Sequence, residues 1–274
     1  MACRSAVHPN SVVCDIPFKG IIDTEIRAYL LNELIKYILY EKSQMPEMFD
    51  QLKKHINVRG KNANPKSSNK NDRQAFLLYS SCEKLFGSIV ANFQTNPQIQ
   101  ECAIILGSSA LSPKEVFHIT FPPADSSQHP QKPLSAKDCK RFLFLQIFAK
   151  DPFFSGSRLP CTNMHVLLLG PRQLKLTGFS AKPVYKPSKR GQHYYLNLLQ
   201  DSDPDDDDEV SFHPKHNYSH DLSGFEPLMP SKKDDSVLSD LHALNLLDDD
   251  DDSQIWYQAN ISVKGYHITM PKHL

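Results

Sequence analysis

The stretch I-W-Y-Q-A-N-I-S-V, Ile255 to Val263, decides the fold, and Lys264-Gly265-Tyr266 follows it. Ile255, Tyr257, Ala259, Ile261 and Val263 fall on one face at period two, with Trp256, Gln258, Asn260 and Ser262 on the other. That alternation predicts a half-buried β-strand. The stretch follows a long acidic, Pro-containing excursion. A strand's N–H and C=O groups need partners, so this one must return to a folded body made earlier in the chain.

The chain has 274 residues, 40% of them hydrophobic and 23% charged. Setting aside the polar stretches leaves about 200 residues, enough for one well-buried domain. Formal net charge is +0 at pH 7, but more than half the acids lie between Asp201 and Asp252. The remainder is therefore basic, which suits an acidic partner or nucleic acid; equally, body and acidic segment can form one electrostatic system. Cys3, Cys14, Cys82, Cys102, Cys139 and Cys161 are scattered with no C-x-x-C spacing. They read as reduced thiols of an intracellular protein. No secretory signal is visible at the N-terminus, and no apolar run approaches the ~20 residues that span a bilayer.

Working back from the last strand, the periodicity predicts an α+β order. Val12–Phe18 is a short edge strand weakened by Pro17. Ile22–Glu41 is a central helix with Asp23 as N-cap, carrying the rows Ile26, Leu30, Leu34, Ile38 and Leu31, Ile35, Leu39. Glu47–Ile56 is a short helix, Asn57–Asp72 a mobile loop, and Arg73–Phe93 a second long helix. Ile99–Leu106 and Glu115–Phe121 read as a hairpin around Gly107–Lys114. Ser135 and Asp138 open a third helix reaching Ala149 with capping-box-like spacing. Asn163–Leu169, Phe179–Val184 and His193–Leu199 are further strands. Helices segregated from strands in this way predict α+β rather than a doubly wound sheet.

Catalytic motifs are missing: no phosphate loop, no G-x-S-x-G, no H-E-x-x-H. A thiol enzyme would draw on Cys139 or Cys161 with His118, His165 or His193, yet no spacing ties them together. Asp205–Glu209 and Asp248–Asp252 read as a solvated acidic linker; the first lacks the Gly and bidentate Glu of a calcium loop. Lys53, Lys54, Lys61, Lys66, Lys70 and Arg73 have no interleaved aromatics for base stacking, so no direct nucleic-acid binding is expected. In the third helix Phe142, Leu143, Phe144, Leu145, Ile147 and Phe148 point in nearly every direction. Either that helix is fully buried or one apolar patch is left for a partner.

Four segments together resemble one family: L-I-K-Y-I-L-Y-E-K-S-Q-M-P (Leu34–Pro46) with Q-L-K-K-H (Gln51–His55), G-S-S-A-L-S-P-K-E (Gly107–Glu115), R-F-L-F-L-Q-I-F (Arg141–Phe148) and I-W-Y-Q-A-N-I-S-V-K-G-Y (Ile255–Tyr266). They resemble the comet family of spindle-checkpoint adaptors, which bind the checkpoint protein Mad-two. The resemblance implies a HORMA domain: a mixed or antiparallel sheet backed by three helices, with a C-terminal seat-belt region closing on its own last strand. The expected boundaries are 11–200 for the HORMA-like core, 201–254 for an acidic disordered insertion and 255–268 for the returning strand.

The resemblance also implies a non-enzymatic adaptor without cofactors. Such an adaptor recognises the closed conformer of Mad-two and presents it, alone or within the mitotic checkpoint complex, to an AAA+ remodelling ATPase, silencing the checkpoint. ATP then belongs to the partner, which fits the missing phosphate loop. Nucleus and cytoplasm, with spindle and kinetochore in mitosis, are the implied locations. Site residues carry over unevenly. The Mad-two contact maps to Phe144, with Arg141 and Ile147 on the same helix, and to Glu41, where the family has Gln. An ionised Glu accepts but cannot donate. The ATPase contact maps to Ala181-Lys182, where Lys is kept, Pro is replaced by Ala, and Pro183 follows. Ile255, Trp256, Tyr257, Ile261 and Val263 become a self-binding strand. The alternatives are another HORMA-type binding module, meiotic or DNA-repair, and a thiol-dependent hydrolase.

Overall fold

The computed structural model describes residues 11–62, 70–123, 134–150, 159–201 and 254–268. The first helix, α1 (Thr24–Glu41), begins where Asp23 accepts a hydrogen bond from the Ile26 N–H at 2.7 Å, which satisfies one of the orphan donors of a helix start. Both apolar rows of α1 are buried, as expected for a helix that sits centrally. Helix α2 (Phe49–Asn62) is longer than its apolar pattern suggests, and α3 (Lys70–Thr95) starts earlier. Much of the Asn57–Asp72 stretch, expected to be loop, is therefore helix: polar Asn and Lys lower the apolar signal without breaking a helix in which neighbouring turns are already packed. With α4 (Ala136–Ala149) the described helices number four, as the periodicity predicts and one more than the three the resemblance implies. Ser135 stands at its N-cap but makes no side-chain capping bond.

Eight strands form one mixed sheet: β1 (Ser11–Lys19), β2 (Glu101–Ser109), β3 (Ser112–Thr120), β4 (Asn163–Pro171), β5 (Phe179–Lys182), β6 (Gln192–Asp201), β7 (Gln254–Ala259) and β8 (Val263–Lys264). The order is β1-β6-β3-β2-β4-β7-β5, with β8 also on β4. β6 runs parallel to both β1 and β3, and the remaining pairs are antiparallel. β1 is an edge strand, as Pro17 requires. The β2–β3 hairpin is tighter than expected, with Ser109 opposite Ser112. A Cβ at Gly107 would stand 2.5 Å from the Ser112 carbonyl oxygen, so only glycine fits at that irregular register.

The stretch 255–263 is two strands rather than one. β7 lies between β4 and β5, with Leu168 opposite Tyr257 and Ala181 also opposite Tyr257. The chain leaves the ladder at Asn260, whose N–H donates to the Gly178 carbonyl, and rejoins β4 with Val263 opposite Met164. The alternation of a half-buried strand holds except at Trp256 and Ile261, with Asn260 and Ser262 exposed. Ile255, Tyr257, Ala259 and Val263 enter the main core beneath the helices. Trp256 is also buried, in a second cluster on the other sheet face with Ala103, Ile105, Val116 and Leu167. Ile261 is only partly covered. The acidic stretch expected to be an insertion lies, from 202 to 253, outside the described residues.

Candidate partner-binding face

The third apolar helix of the sequence resolves its surplus by facing two ways. Cys139, Leu143 and Ile147 of α4 point into the core. Phe142 packs edge-on to Phe18 of β1, with ring centres 5.2 Å apart. The rest of the apolar set turns outward against α1. Phe144 meets Tyr37 at 5.1 Å, Phe148 meets the same tyrosine at 5.8 Å, and both contacts are edge-to-face. That is the geometry ring quadrupoles favour. Leu145 and Phe148 remain 55% and 58% exposed, so this two-helix face presents an apolar patch that the fold does not cover.

Two features fix the patch. Glu33 of α1 bridges Lys140 of α4 and Lys36 of its own helix. Burial alone would raise the Glu33 carboxyl, but the two ammonium groups hold it below its ordinary value. Tyr37 is pushed up to about 12 by burial and then by the neighbouring Glu41 carboxylate. It therefore stays a neutral phenol beside an exposed acid at the last residue of α1. The face thus combines aromatic rings, an aliphatic side chain and the exposed charges of Glu41 and Arg141.

Of the residues singled out from the sequence, Phe144 is half-buried on this face and Glu41 stands exposed beside it. Arg141 is exposed on α4, but Ile147 is only 2% exposed and belongs to the core. The outward role expected of Ile147 falls instead to Leu145 and Phe148, because α4 approaches the body with its 139, 143, 147 row. Tyr37 escaped sequence reasoning. Its signal is the Tyr37/Glu41 spacing of four on α1, matched by the Phe144/Phe148 spacing of four on α4.

Ala181, Lys182 and Pro183 are exposed at the opposite edge of the sheet, on and just after β5. From Arg172 to Arg190 the chain carries six basic residues and no acid, so that edge is positively charged. The segment shares no strand with the α1–α4 face.

The thiol-enzyme reading does not survive the geometry. Burial pushes the Cys14, Cys82, Cys102, Cys139 and Cys161 thiols up, whereas a nucleophilic cysteine needs its thiolate stabilised. His118 and His193 face each other at 3.2 Å, His118 also meets Glu101 at 3.0 Å and His193 the Arg190 carbonyl at 3.2 Å, so both rings are engaged with partners other than cysteine. Among the described residues no group of three His, Cys, Asp or Glu side chains could hold a metal ion, and no helix is long and apolar enough to cross a membrane. The two acidic runs, and Lys66 of the basic stretch, lie outside the described residues.

Comparison with known proteins points to a family of binding proteins. The p31comet family, described as Mad1 and Cdc20-bound-Mad2 binding, matches residues 2–207. The MAD2L1-binding protein of Mus musculus is 23% identical over 265 residues, covering 92% of this chain and 78% of its own. The MAD2L1-binding protein of Homo sapiens is 25% identical over 199 residues, covering 70% of this chain and 72% of its own. The family's description is one of binding and not of catalysis, and the chain belongs to the p31comet family.

Proposed function

We propose that this protein is a non-enzymatic adaptor that binds the closed conformer of Mad2 through its α1–α4 face. It then presents Mad2, alone or within the mitotic checkpoint complex, to an AAA+ remodelling ATPase and so silences the spindle checkpoint. The observation that carries the reading is the uncovered Tyr37–Phe144–Phe148 patch with exposed Leu145. Interface hot spots are enriched in aromatic and arginine side chains, and here Tyr37 meets Phe144 while Arg141 stands exposed one turn before Phe144. The family's description, Mad1 and Cdc20-bound-Mad2 binding, supports Mad2 as the partner.

The rest of the reading assigns the remaining elements. The fold is taken as HORMA-like, with β7 and β8 as an internal ligand held where such a domain would close on a peptide. The occupied position favours one permanently closed state, so this chain offers a surface rather than capturing a segment. The basic β5 edge, with Lys182, is the proposed ATPase contact, in the nucleus and cytoplasm and at the spindle in mitosis. Charge there steers encounter more than it adds affinity. Co-purification of the full chain with Mad2 locked in its closed form tests the reading. Retention of closed Mad2 and not of an open-locked form supports it; equal retention of both, or of neither, refutes it.

A further inference from the structure

Helix α1 ends in an unusual way, and the ending reaches across the molecule. Lys42 is its C-cap. Ser43 follows with φ of 55°, a left-handed conformation usually given to glycine. The Ser43 N–H donates to the Tyr40 carbonyl at 3.0 Å and the Gln44 N–H to the Leu39 carbonyl at 2.8 Å. These are the two bonds of a Schellman cap. The position two beyond such a cap commonly carries an apolar side chain packed on the helix. Here it is Gln44, with 0% exposure.

Gln44 ties the end of α1 to two other segments. Its amide nitrogen donates to the Lys42 carbonyl at 2.7 Å. Its amide oxygen accepts from the Thr162 N–H at 2.8 Å, at the entry to β4. Its backbone carbonyl accepts from the Tyr266 N–H at 2.9 Å, while the Gly265 N–H donates to the Thr162 carbonyl. Lys42, 1% exposed, sends its ammonium under the sheet. There it donates to Glu115 Oε1 at 3.2 Å and Tyr194 Oη at 3.4 Å, beside the stacked Phe117 and Tyr194 rings. Glu115 Oε2, 3.0 Å away, is an ionic contact rather than an aligned hydrogen bond. Burial raises the Glu115 carboxyl despite the ammonium beside it, so the pair is held by the surrounding fold. Three of the four segments that identify this chain by sequence thus meet at one turn: Lys42–Gln44, Glu115 and Gly265-Tyr266.

We infer that Lys42 and Gln44 are positioning residues: Gln44 holds Tyr266 and Thr162 while Lys42 anchors the same turn to Glu115 and Tyr194, and together they set the last turn of α1, so that docking of the C-terminal segment and partner binding at Glu41, Tyr37 and Phe144 are energetically coupled. The inference rests on the α1–α4 face being the partner face. Glu41 directly precedes the clamp and Tyr37 lies one turn earlier, on the same rigid rod. By reciprocity, a partner that tightens this turn tightens the C-terminal segment to the same extent.

Gly265 offers a perturbation that leaves both the turn and the face chemically intact. A Cβ there would stand 2.5 Å from Gln44 Oε1 and 3.0 Å from the Gln44 carbonyl oxygen. Gly265→Ala must therefore displace either the Gln44 side chain or the C-terminal segment. Gln44→Glu attacks the same clamp from the other side, turning a carboxylate toward the Lys42 carbonyl that now receives an N–H. In the full chain without partner, both variants should raise hydrogen exchange at the Lys42–Met45 amides at least tenfold. Both should also weaken binding of closed Mad2 about fivefold, the lower end of the usual allosteric range. A structural role alone would predict additivity, so the deciding measurement is a double-mutant cycle with Phe144→Ala. In the Gly265→Ala or Gln44→Glu background, Phe144→Ala should cost several-fold less affinity than in the unaltered chain. Full additivity in both backgrounds, or unchanged exchange in the last turn of α1, overturns the inference. If the unaltered chain fails to bind closed Mad2, the partner reading has failed, the coupling to that face falls with it, and the exchange arm decides the clamp by itself.

Discussion

The two edges of the sheet are built by opposite means. At the β1 edge, a helical face is secured by side chains: Phe142 on Phe18, the Lys140–Glu33 bridge, and the Lys150 ammonium on the Asp15 carbonyl at 2.9 Å. At the other edge, β7 is secured by backbone, laddered on both sides to β4 and β5. The first edge leaves apolar side chains outside; the second leaves basic ones. Side-chain attachment can be tuned or removed one residue at a time. A central strand is all or nothing, because its loss orphans the hydrogen-bonding groups of two neighbours. The contrast predicts large stability effects from the C-terminal strands and binding effects from the helical face.

The largest effect should come from truncation before Ile255. It removes Ile255, Trp256, Tyr257 and Val263 from the core, and each buried side chain of that size is worth about 1.5–3 kcal/mol. Together they match much of the about 5–15 kcal/mol by which a typical domain is stable. The truncated chain should lose cooperative unfolding or melt well below the full chain. An unchanged melting temperature in a thermal scan would refute the view of β7 as a structural centre.

Next in size is Phe144→Ala. The side chain is half-buried and belongs to the outward cluster, so the core should tolerate its loss. Hot-spot aromatics contribute about 2 kcal/mol or more on truncation, so affinity for closed Mad2 should fall at least tenfold with the melt nearly retained. Calorimetric titration and a thermal scan on the same sample check both halves. A collapsed melt would show that Phe144 serves the core after all, and unchanged affinity would move the partner elsewhere.

The Glu33 bridge predicts a smaller effect that depends on acid. A carboxyl depressed in the folded state contributes stability above its unfolded value, and that contribution is lost as pH falls through the folded one. Burial opposes the depression, but Lys140 and Lys36 outweigh it. The α1–α4 attachment should therefore hold from neutral pH down to the ordinary carboxylate range and loosen below it. Glu33→Gln should remove that dependence. Chemical-denaturant midpoints measured from pH 7 to pH 3 would show the two chains converging in acid; parallel curves would rule out the bridge as the cause.

What the sequence disclosed follows from the same division. Element order, the Asp23 cap and the returning strand were legible because each has a local signature of period or spacing. The extension of α2 and α3 through polar residues was not, since a helix already begun adds further turns without an apolar residue of its own to mark them. Trp256 looked solvent-facing because alternation assigns one face outward, and nothing local announces a second cluster behind the sheet. The same limit hid the clamp. Lys42, Glu115 and Gly265 stood in the segments that marked the family, but their meeting depends on strand order rather than on any spacing. Ile147, named with Phe144 through the family resemblance, lies in the core because the 139, 143, 147 row of α4 meets the body, and no local spacing shows which row that is.

The smallest structural effect belongs to Lys182. It is exposed at the end of an edge strand, where substitutions away from packed features usually change stability by less than about 0.5 kcal/mol. Its backbone ladder to Trp256 survives in Lys182→Ala, because the register bonds do not involve the side chain. Yet the ammonium belongs to a run of basic residues without an acid among them. Removing it should slow encounter with an acidic surface, and more so at low ionic strength. Lys182→Ala should therefore leave the melt and the affinity for closed Mad2 unchanged while reducing ATP-dependent release of Mad2 by the AAA+ partner. The deficit should shrink as salt is raised. A variant losing Mad2 binding and ATPase engagement equally would show that the two edges act as one surface. A deficit insensitive to salt would mean that Lys182 is held there by shape rather than by charge.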